Sequence, residues 1–514
     1  MKKSYLIIIL FLFFISFLHS DFIIPQDDPV YSFLESMNNL GYTEKTFFIY
    51  PQYYNEIIEI LENLRVQNLP KQYQKLAEYH YERLSINFPE GVNADVYPLR
   101  KIPRSAINVF KSHSVKKRLV TYKNGECELF FSGLLGLNYD TKRDSISKWR
   151  SLKYYGMEFG GNIKENFGFY SRFRKGHYKG NKEFIREDYR KSEFLNWENV
   201  EVVSMCSETD YKNRYLNLSL GFGTFQIGKS ITTSIILNPI ITSYPYFKYY
   251  KRFGNFHYLA FNAQLLPDSL NNEADYETKS YALQIVYYSV NNFSLGVGEC
   301  ALYGDKNIDL SYITPLVMYK LVDFVNHSRD NVNGFLFGTY NPFKGMMIYC
   351  NFFIDDFKIG RMSTNKVFSG FAYQNGITYA FSKIPLQIAF EMTAVGPRTY
   401  CHRRYLPYTH DSQLLGYPNG SNQLNIATQI QYLHSQIVAT LYYDNMQQGS
   451  ISNNPFVPQP NTEFLAGKIS RTERITTEIK YYPYPEISIH LKYEFQKKEE
   501  NNTSYLYSGL EVRY

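Results

Sequence analysis

"EISIHLKYEF" (486–495) and "YLYSGLEVRY" (505–514) decide the fold. In the first stretch Ile487, Ile489, Leu491, Tyr493 and Phe495 share one face of an extended chain, and Glu486, Ser488, His490, Lys492 and Glu494 share the other. In the second, Leu506, Ser508, Leu510, Val512 and Tyr514 alternate with Tyr507, Gly509, Glu511 and Arg513. Successive side chains of a strand point to opposite faces, so each stretch has one apolar and one polar side. A strand between lipid and a wet lumen has this pattern. A soluble sandwich alternates too, but here the apolar faces end in aromatics, as in the girdles of a transmembrane barrel.

The connections give an independent test. Membrane barrels have short turns at one end and longer loops at the other. Counting back from a last strand that ends at Tyr514, every second connection is short: "PYPE" (483–486), "LHS" (433–435), "SKIP" (382–385), "NPFK" (341–344) and "VNN" (290–292). Those between them include the long segments 444–463, 396–422 and 303–330 and the shorter polar 360–369 and 497–503. The rhythm holds over about twelve strands and predicts alternating hairpins. The pattern is weaker over 115–255. Roughly 400 residues are enough for a mainly β, transmembrane antiparallel barrel of about 16–18 strands.

The start of the chain reads differently. Lys2 and Lys3, an apolar run over Tyr5–Leu18 and the small Ser20 have the order of a secretory signal peptide, residues 1–20. Residues 21–114 read as a small α-helical bundle. In "DPVYSFLESMNNLG" (28–41), Val30, Phe33, Leu34, Met37 and Leu40 fall at helical spacing, with Asp28 placed to cap, Pro29 in the first turn and Gly41 at the end. Tyr54, Ile57, Ile58, Leu61 and Leu64 repeat the stripe after Pro51, and Tyr73, Leu76, Ala77 and Leu84 do so after Pro70. The barrel takes 115–514. The 514 residues carry 49 Tyr and 39 Phe but 2 Trp, and a formal charge of +7 too diffuse to point to nucleic acid. A mean hydropathy of −0.36 excludes a helical membrane protein. Cys127, Cys206, Cys300, Cys350 and Cys401, odd in number and widely spaced, make no disulfide framework.

"NFFIDDF" (351–357) raises the question of chemistry. Its strand runs outward from "NPFK", with Cys350, Phe352 and Ile354 toward lipid and Asn351, Phe353 and Asp355 toward the lumen. Asp355 and Asp356 then point to opposite faces near the outer rim, and a catalytic dyad is not expected. Glu299 in "GVGECALYG", Asp330 and Asn331 in "NHSRDNVNG", Glu391, Arg398 and Tyr400 in "AFEMTAVGPRTY", and His410 and Asp411 in "YTHDSQLLGYPNG" gather toward the same end. Aromatic rings, carboxylates, amides and Arg together suit sugar binding. They equally suit a polar network that stiffens the barrel.

These segments carry a resemblance. "GVGECALYGDKNIDLSYITP", "SRDNVNGFLFG", "YCNFFIDDF" and "FEMTAVGPRTYCH…YTHDSQLLGYPNGSNQLNI" look like signature blocks of the capsule assembly family Wzi, and "DDPVYSFLESMNNLGY" (27–42) resembles the opening of that family's periplasmic bundle. The resemblance implies an outer-membrane barrel, of eighteen strands where known, that attaches capsular polysaccharide to the cell surface as a lectin. It departs after "FQIGKS" (225–230), where many members have a Trp-Gly-Pro-Gly-like segment and this chain has "ITTSIILNPIITSYP". The closing aromatic strand resembles the assembly signal of bacterial barrels, implying the barrel assembly machinery as a partner beside polysaccharide and outer-membrane lipid.

No GxSxG, HExxH or P-loop pattern occurs, and the ten His are scattered without metal-ligand spacing. The expectation is a non-catalytic polysaccharide-binding protein without cofactor or metal. The alternatives are a solute-conducting porin and an anchor for secretion or gliding machinery.

Overall fold

The computed structural model describes residues 22–43, 49–86, 90–94 and 118–513, apart from internal segments of which the longest are 185–193, 197–200, 269–278, 305–308, 356–369 and 455–462. The predicted signal peptide, Asp356 and Tyr514 lie outside the described residues.

Eighteen strands close into one antiparallel barrel. In chain order they are β1 (Cys127–Arg143), β2 (Ser147–Ile163), β3 (Phe167–Gly180), β4 (Glu201–Lys212), β5 (Asn217–Gly223), β6 (Tyr244–Phe253), β7 (Phe256–Leu265), β8 (Lys279–Val290) and β9 (Phe293–Gly304). There follow β10 (Asn331–Tyr340), β11 (Met346–Ile354), β12 (Phe371–Ala380), β13 (Leu386–Val395), β14 (Gln423–His434), β15 (Ile437–Gly449), β16 (Ile469–Tyr484), β17 (Ile487–Lys498) and β18 (Asn501–Arg513). The barrel closes where β18 pairs with β1, with Leu506 opposite Thr141 and Val512 opposite Leu135. The expected rhythm of short and long connections is present. One detail differs: β17 and β18 run on to Lys498 and Asn501, so the polar connection expected over 497–503 is a tight turn.

Alternation sorts the side chains as the sequence pattern requires. Leu491, Tyr493, Leu506 and Leu510 stand exposed on the outer wall, whereas His490, Lys492, Tyr507 and Glu511 line the interior. Asn351 and Phe353 on β11, and Asp355 just past its end, are buried. Exposed aromatics ring the end that carries the short turns, among them Phe167, Phe253, Phe293, Tyr340, Tyr379 and Tyr432. Aromatic girdles of this kind mark the boundary of an apolar band, and the Tyr hydroxyls can reach the polar side.

Three helices, α1 (Val30–Asn39), α2 (Tyr54–Val66) and α3 (Lys71–Leu84), precede the barrel. The Asp28 carboxylate accepts the Val30 N–H at 2.9 Å at the start of α1 and takes Arg83 of α3 as its ion partner. The apolar stripe of α1 is fully buried as expected. On α2 it is rotated, with Ile60 buried and Ile58 half-buried. The polar side of α1 is buried as well, because the helix is wedged into the turn end of the barrel. Ser36 donates to Gln387 at 3.0 Å, Asn39 to Thr378 at 3.0 Å, and the Asn39 carbonyl accepts from Gly345 N at 2.7 Å. Tyr73 of α3 donates to the carbonyl of Phe381, at 2.6 Å, in the turn between β12 and β13. The helices share one apolar core with Ala380 and Leu433 of the wall. Each large apolar side chain so buried contributes about 1.5–3 kcal/mol.

Candidate functional site: a half-plugged lumen

Two of the long connections turn into the barrel. Residues 224–243 follow β5, and residues 396–422 follow β13. The first contains the apolar "FQIGKSITTSIILNPIITS" (225–243), which fills half of the lumen with Phe225, Ile227, Ile235, Ile236, Leu237 and Ile241, all buried. Gly228 makes the entry possible. Its φ is +86°, and a Cβ there would stand 2.6 Å from the Asn351 side-chain oxygen. From the second connection, Tyr400 donates to the Ile235 carbonyl at 2.7 Å and Tyr408 to the Ile236 carbonyl at 2.8 Å. The Tyr400 ring packs on Phe353 at 5.3 Å between centroids. The plug spans the lumen from loop end to turn end, since Lys229 pairs with Glu35 of α1 and Gln226–Ile227 pair with Ile49–Tyr50.

This plug absorbs most of the residues singled out by sequence. Glu391 is its hub: its carboxylate accepts from the Ile231 N–H at 2.9 Å, Tyr349 at 2.6 Å, Gln374 at 3.1 Å and the Thr232 hydroxyl. Asn351 donates to the Lys229 carbonyl at 2.7 Å, and Asp355, further along the same face, is buried. Asn331 donates to the Leu406 carbonyl at 2.8 Å. His410 accepts from the Leu266 N–H through Nδ1 at 3.0 Å, and burial, followed by the nearby Lys279 cation, pushes its pKa down to about 4. The Thr242 hydroxyl donates to Asp411 at 3.3 Å; burial pushes that carboxyl above its usual range. Arg398 and Asp411 are half-buried at the edge of the plug. Two residues fall elsewhere. Glu299 and Asp330 face outward, toward residues 309–326 on the outside of the wall, where Glu299 accepts the Tyr319 N–H and Asp330 the Tyr312 hydroxyl. Glu299 shares its face with Leu295 and Val297, as the period of two requires.

Among the described residues, nothing fills the other half of the lumen. Inward side chains of β1–β4 and β15–β18 border two joined spaces of about 510 Å³ and about 320 Å³, which share Asn138, Leu152, His490 and Tyr507. The larger lies toward the loop end. Its charges are held in pairs: Arg150 on Asp140 at 2.7 Å, Arg474 on both oxygens of Asp444 at 2.7 and 3.1 Å, and Lys492 on Glu494 at 3.1 Å. Tyr178, Tyr505 and Tyr507 line the same space, and Arg150 lies over the Phe184 ring at 4.3 Å. The smaller space ends on a floor of ion pairs, Arg174 with Glu511 at 3.0 Å and Arg172 with Asp27 at 3.3 Å.

This architecture can be set beside known proteins. No family model and no curated protein matches the sequence. Among solved structures, the Escherichia coli outer-membrane protein Wzi, involved in group 1 capsule assembly and described as a carbohydrate-binding β-barrel, is similar over 95% of this chain and 99% of its own. The TM-score is 0.64 and the identity 10%. The fold is Wzi-like. A looser likeness, TM-score 0.46 at 9% identity over 75% of this chain and 98% of the other, joins it to the outer-membrane protein OpdK of Pseudomonas aeruginosa.

The blocks that carried the sequence resemblance to the Wzi family lie in the plug and in the outer wall beside it. The departure after "FQIGKS" falls on the inward segment itself. The cleft residues Asp140, Arg150, Asp444, Arg474, Tyr505 and Tyr507 were not singled out as a site. Their signal was present, because Tyr507, His490, Lys492 and Glu494 occupy the polar face of the alternating stretches at the end of the chain. What was missing is the knowledge of which part of the lumen stays open.

Proposed function

We propose that the chain is a non-catalytic outer-membrane protein that binds surface polysaccharide, capsular in class, in the open half of its lumen. The cleft at the loop end carries the reading. Tyrosine rings offer flat apolar faces to sugars, and guanidinium and carboxylate groups locked in pairs offer hydrogen bonds of fixed direction. The Wzi-like fold supports it. In this reading the loop end faces outward and the helices close the periplasmic end. The signal segment is removed on export, and the barrel assembly machinery inserts the chain.

Calorimetric titration of the purified protein with polysaccharide from its own cells should show binding. Tyr505→Ala and Arg474→Ala should each weaken it by about tenfold, or about 1.4 kcal/mol. A deletion strain should still make the polymer but shed it. Undiminished binding by both variants, or normal retention in the deletion strain, rejects the reading. Turnover of the polymer by the purified protein would replace it with an enzymatic one. A solute channel is the second reading, favoured by the run of the cleft along one wall. The plug and the ion-paired floor oppose it, and large stable conductance of the native protein in a planar bilayer would restore it.

A further inference from the structure

Residues 309–326 fold against the outside of the barrel rather than over its mouth. They comprise a short turn, Leu310–Tyr312, and the helix α4 (Tyr319–Val325). Tyr312, Tyr319 and Val322 pack on the outward side chains Ala282, Ala301, Tyr303 and Val332 of β8, β9 and β10. Among these apolar side chains the wall also carries polar groups at outward positions, and the segment satisfies them. The Glu299 carboxylate accepts the Tyr319 N–H at 2.6 Å, Gln284 donates to the Val317 carbonyl at 2.6 Å, and the Tyr258 hydroxyl accepts the Leu316 N–H at 3.3 Å. Of its charges, Lys320 and Asp323 pair at 3.3 Å, and Asp309 accepts the Ser311 N–H at 2.9 Å.

The depth of this contact matters. Glu299 is six residues beyond Phe293, which belongs to the turn-end girdle. At ~3.4 Å per residue and a strand tilt of ~40° it stands about 15 Å above that girdle, inside an apolar band ~25 Å tall. A bare carboxylate there would be costly against lipid. The covering segment removes that cost and turns a new surface outward: Leu310, Leu316, Met318, Leu321, Phe324 and Val325 are each more than half exposed. Below them on the same wall Leu295, Val297 and Leu336 are exposed, so the apolar surface is continuous.

We infer that α4 and its flanks form a lipid-facing surface, inserted beside the barrel among the acyl chains of the outer leaflet. The occupant follows from continuity with the apolar belt and from depth, and the inference rests on the membrane reading given above. An interfacial helix of this kind adds area to the barrel's grip on one leaflet.

The test is site-specific photocrosslinking of the full chain in its native membrane. A benzophenone side chain is placed at Leu321, at Phe324 and, as a belt reference, at Val297. The expected result is a lipid-sized mass increase at all three positions. A product joined to another protein or to a second copy of this chain at Leu321 or Phe324 overturns the inference, and so does no lipid product there while Val297 gives one. If Val297 also gives none, the membrane reading itself fails, and the inference falls with it.

Discussion

Glu391 is fully buried and is the point at which β11, β12, β13 and the inward segment meet through one carboxylate. Removing it leaves a backbone N–H, a phenol, an amide and a hydroxyl with fewer acceptors inside the lumen, and each unsatisfied buried group costs about 1–3 kcal/mol. Glu391→Ala should therefore destabilise the protein by roughly 3 kcal/mol or more, and Glu391→Gln, which keeps one acceptor, by clearly less. Denaturant unfolding in detergent micelles measures both. Equal losses in the two variants would mean that the hydrogen-bond hub does not hold the plug. The acid pair of "NFFIDDF" belongs to the same scale. Asp355 is buried beside the plug, at the end of the strand whose Phe353 packs on Tyr400. Its neighbour Asp356 lies outside the described residues.

At the scale of elements, the inward segment 224–243 fills one half of the lumen, and the helical wedge stands at the turn end. Replacing residues 229–238 by a Gly/Ser linker should leave the barrel strands intact and raise single-channel conductance in planar bilayers well above that of the native protein. An unchanged conductance would place the barrier elsewhere. The wedge has a pH dependence of its own. His80 of α3 is buried against Phe33 at 5.1 Å between ring centroids. Burial, with the Arg83 cation next, lowers its pKa from 6.5 to about 3. The unfolded chain therefore takes a proton that the folded one refuses. Stability is full above pH ~6.5 and falls as pH drops toward ~3, by about 1.4 kcal/mol per unit. Asp28 acts in the same direction at lower pH: burial alone would raise its carboxyl, but Arg83 overrides this and holds it below the usual range. Its stabilising share is present above pH ~3.9 and is lost below it. Hydrogen exchange in α1–α3 should thus accelerate, after correction for the intrinsic pH effect, between pH 6.5 and 4.5. His80→Leu should flatten that trend.

For the whole molecule, the barrel was legible and its contents were not. Alternation in the closing strands and the spacing of "PYPE", "SKIP", "NPFK" and "VNN" require a β-barrel with its turns at one end, since a period of two and a hairpin register are local properties. The helical stripes of α1, α2 and α3 were equally readable, although the stripe of α2 is rotated toward Ile60. The paths of the long connections were another matter. Residues 224–243, 309–326 and 396–422 are all long connections at the loop end, yet two enter the lumen and one lies on the outer wall. Buried loop backbone needs partners far away in sequence, such as Glu391 for Ile231 and Tyr400 for Ile235. No local pattern announces those partners. By itself the sequence determined a barrel of about 16–18 strands, the end at which its short turns lie and which side of its readable strands is polar. Only the tertiary structure decided which half of that wet interior is filled and which is left for a ligand, because that depends on long-range packing of apolar loops against a wall whose own residues are polar.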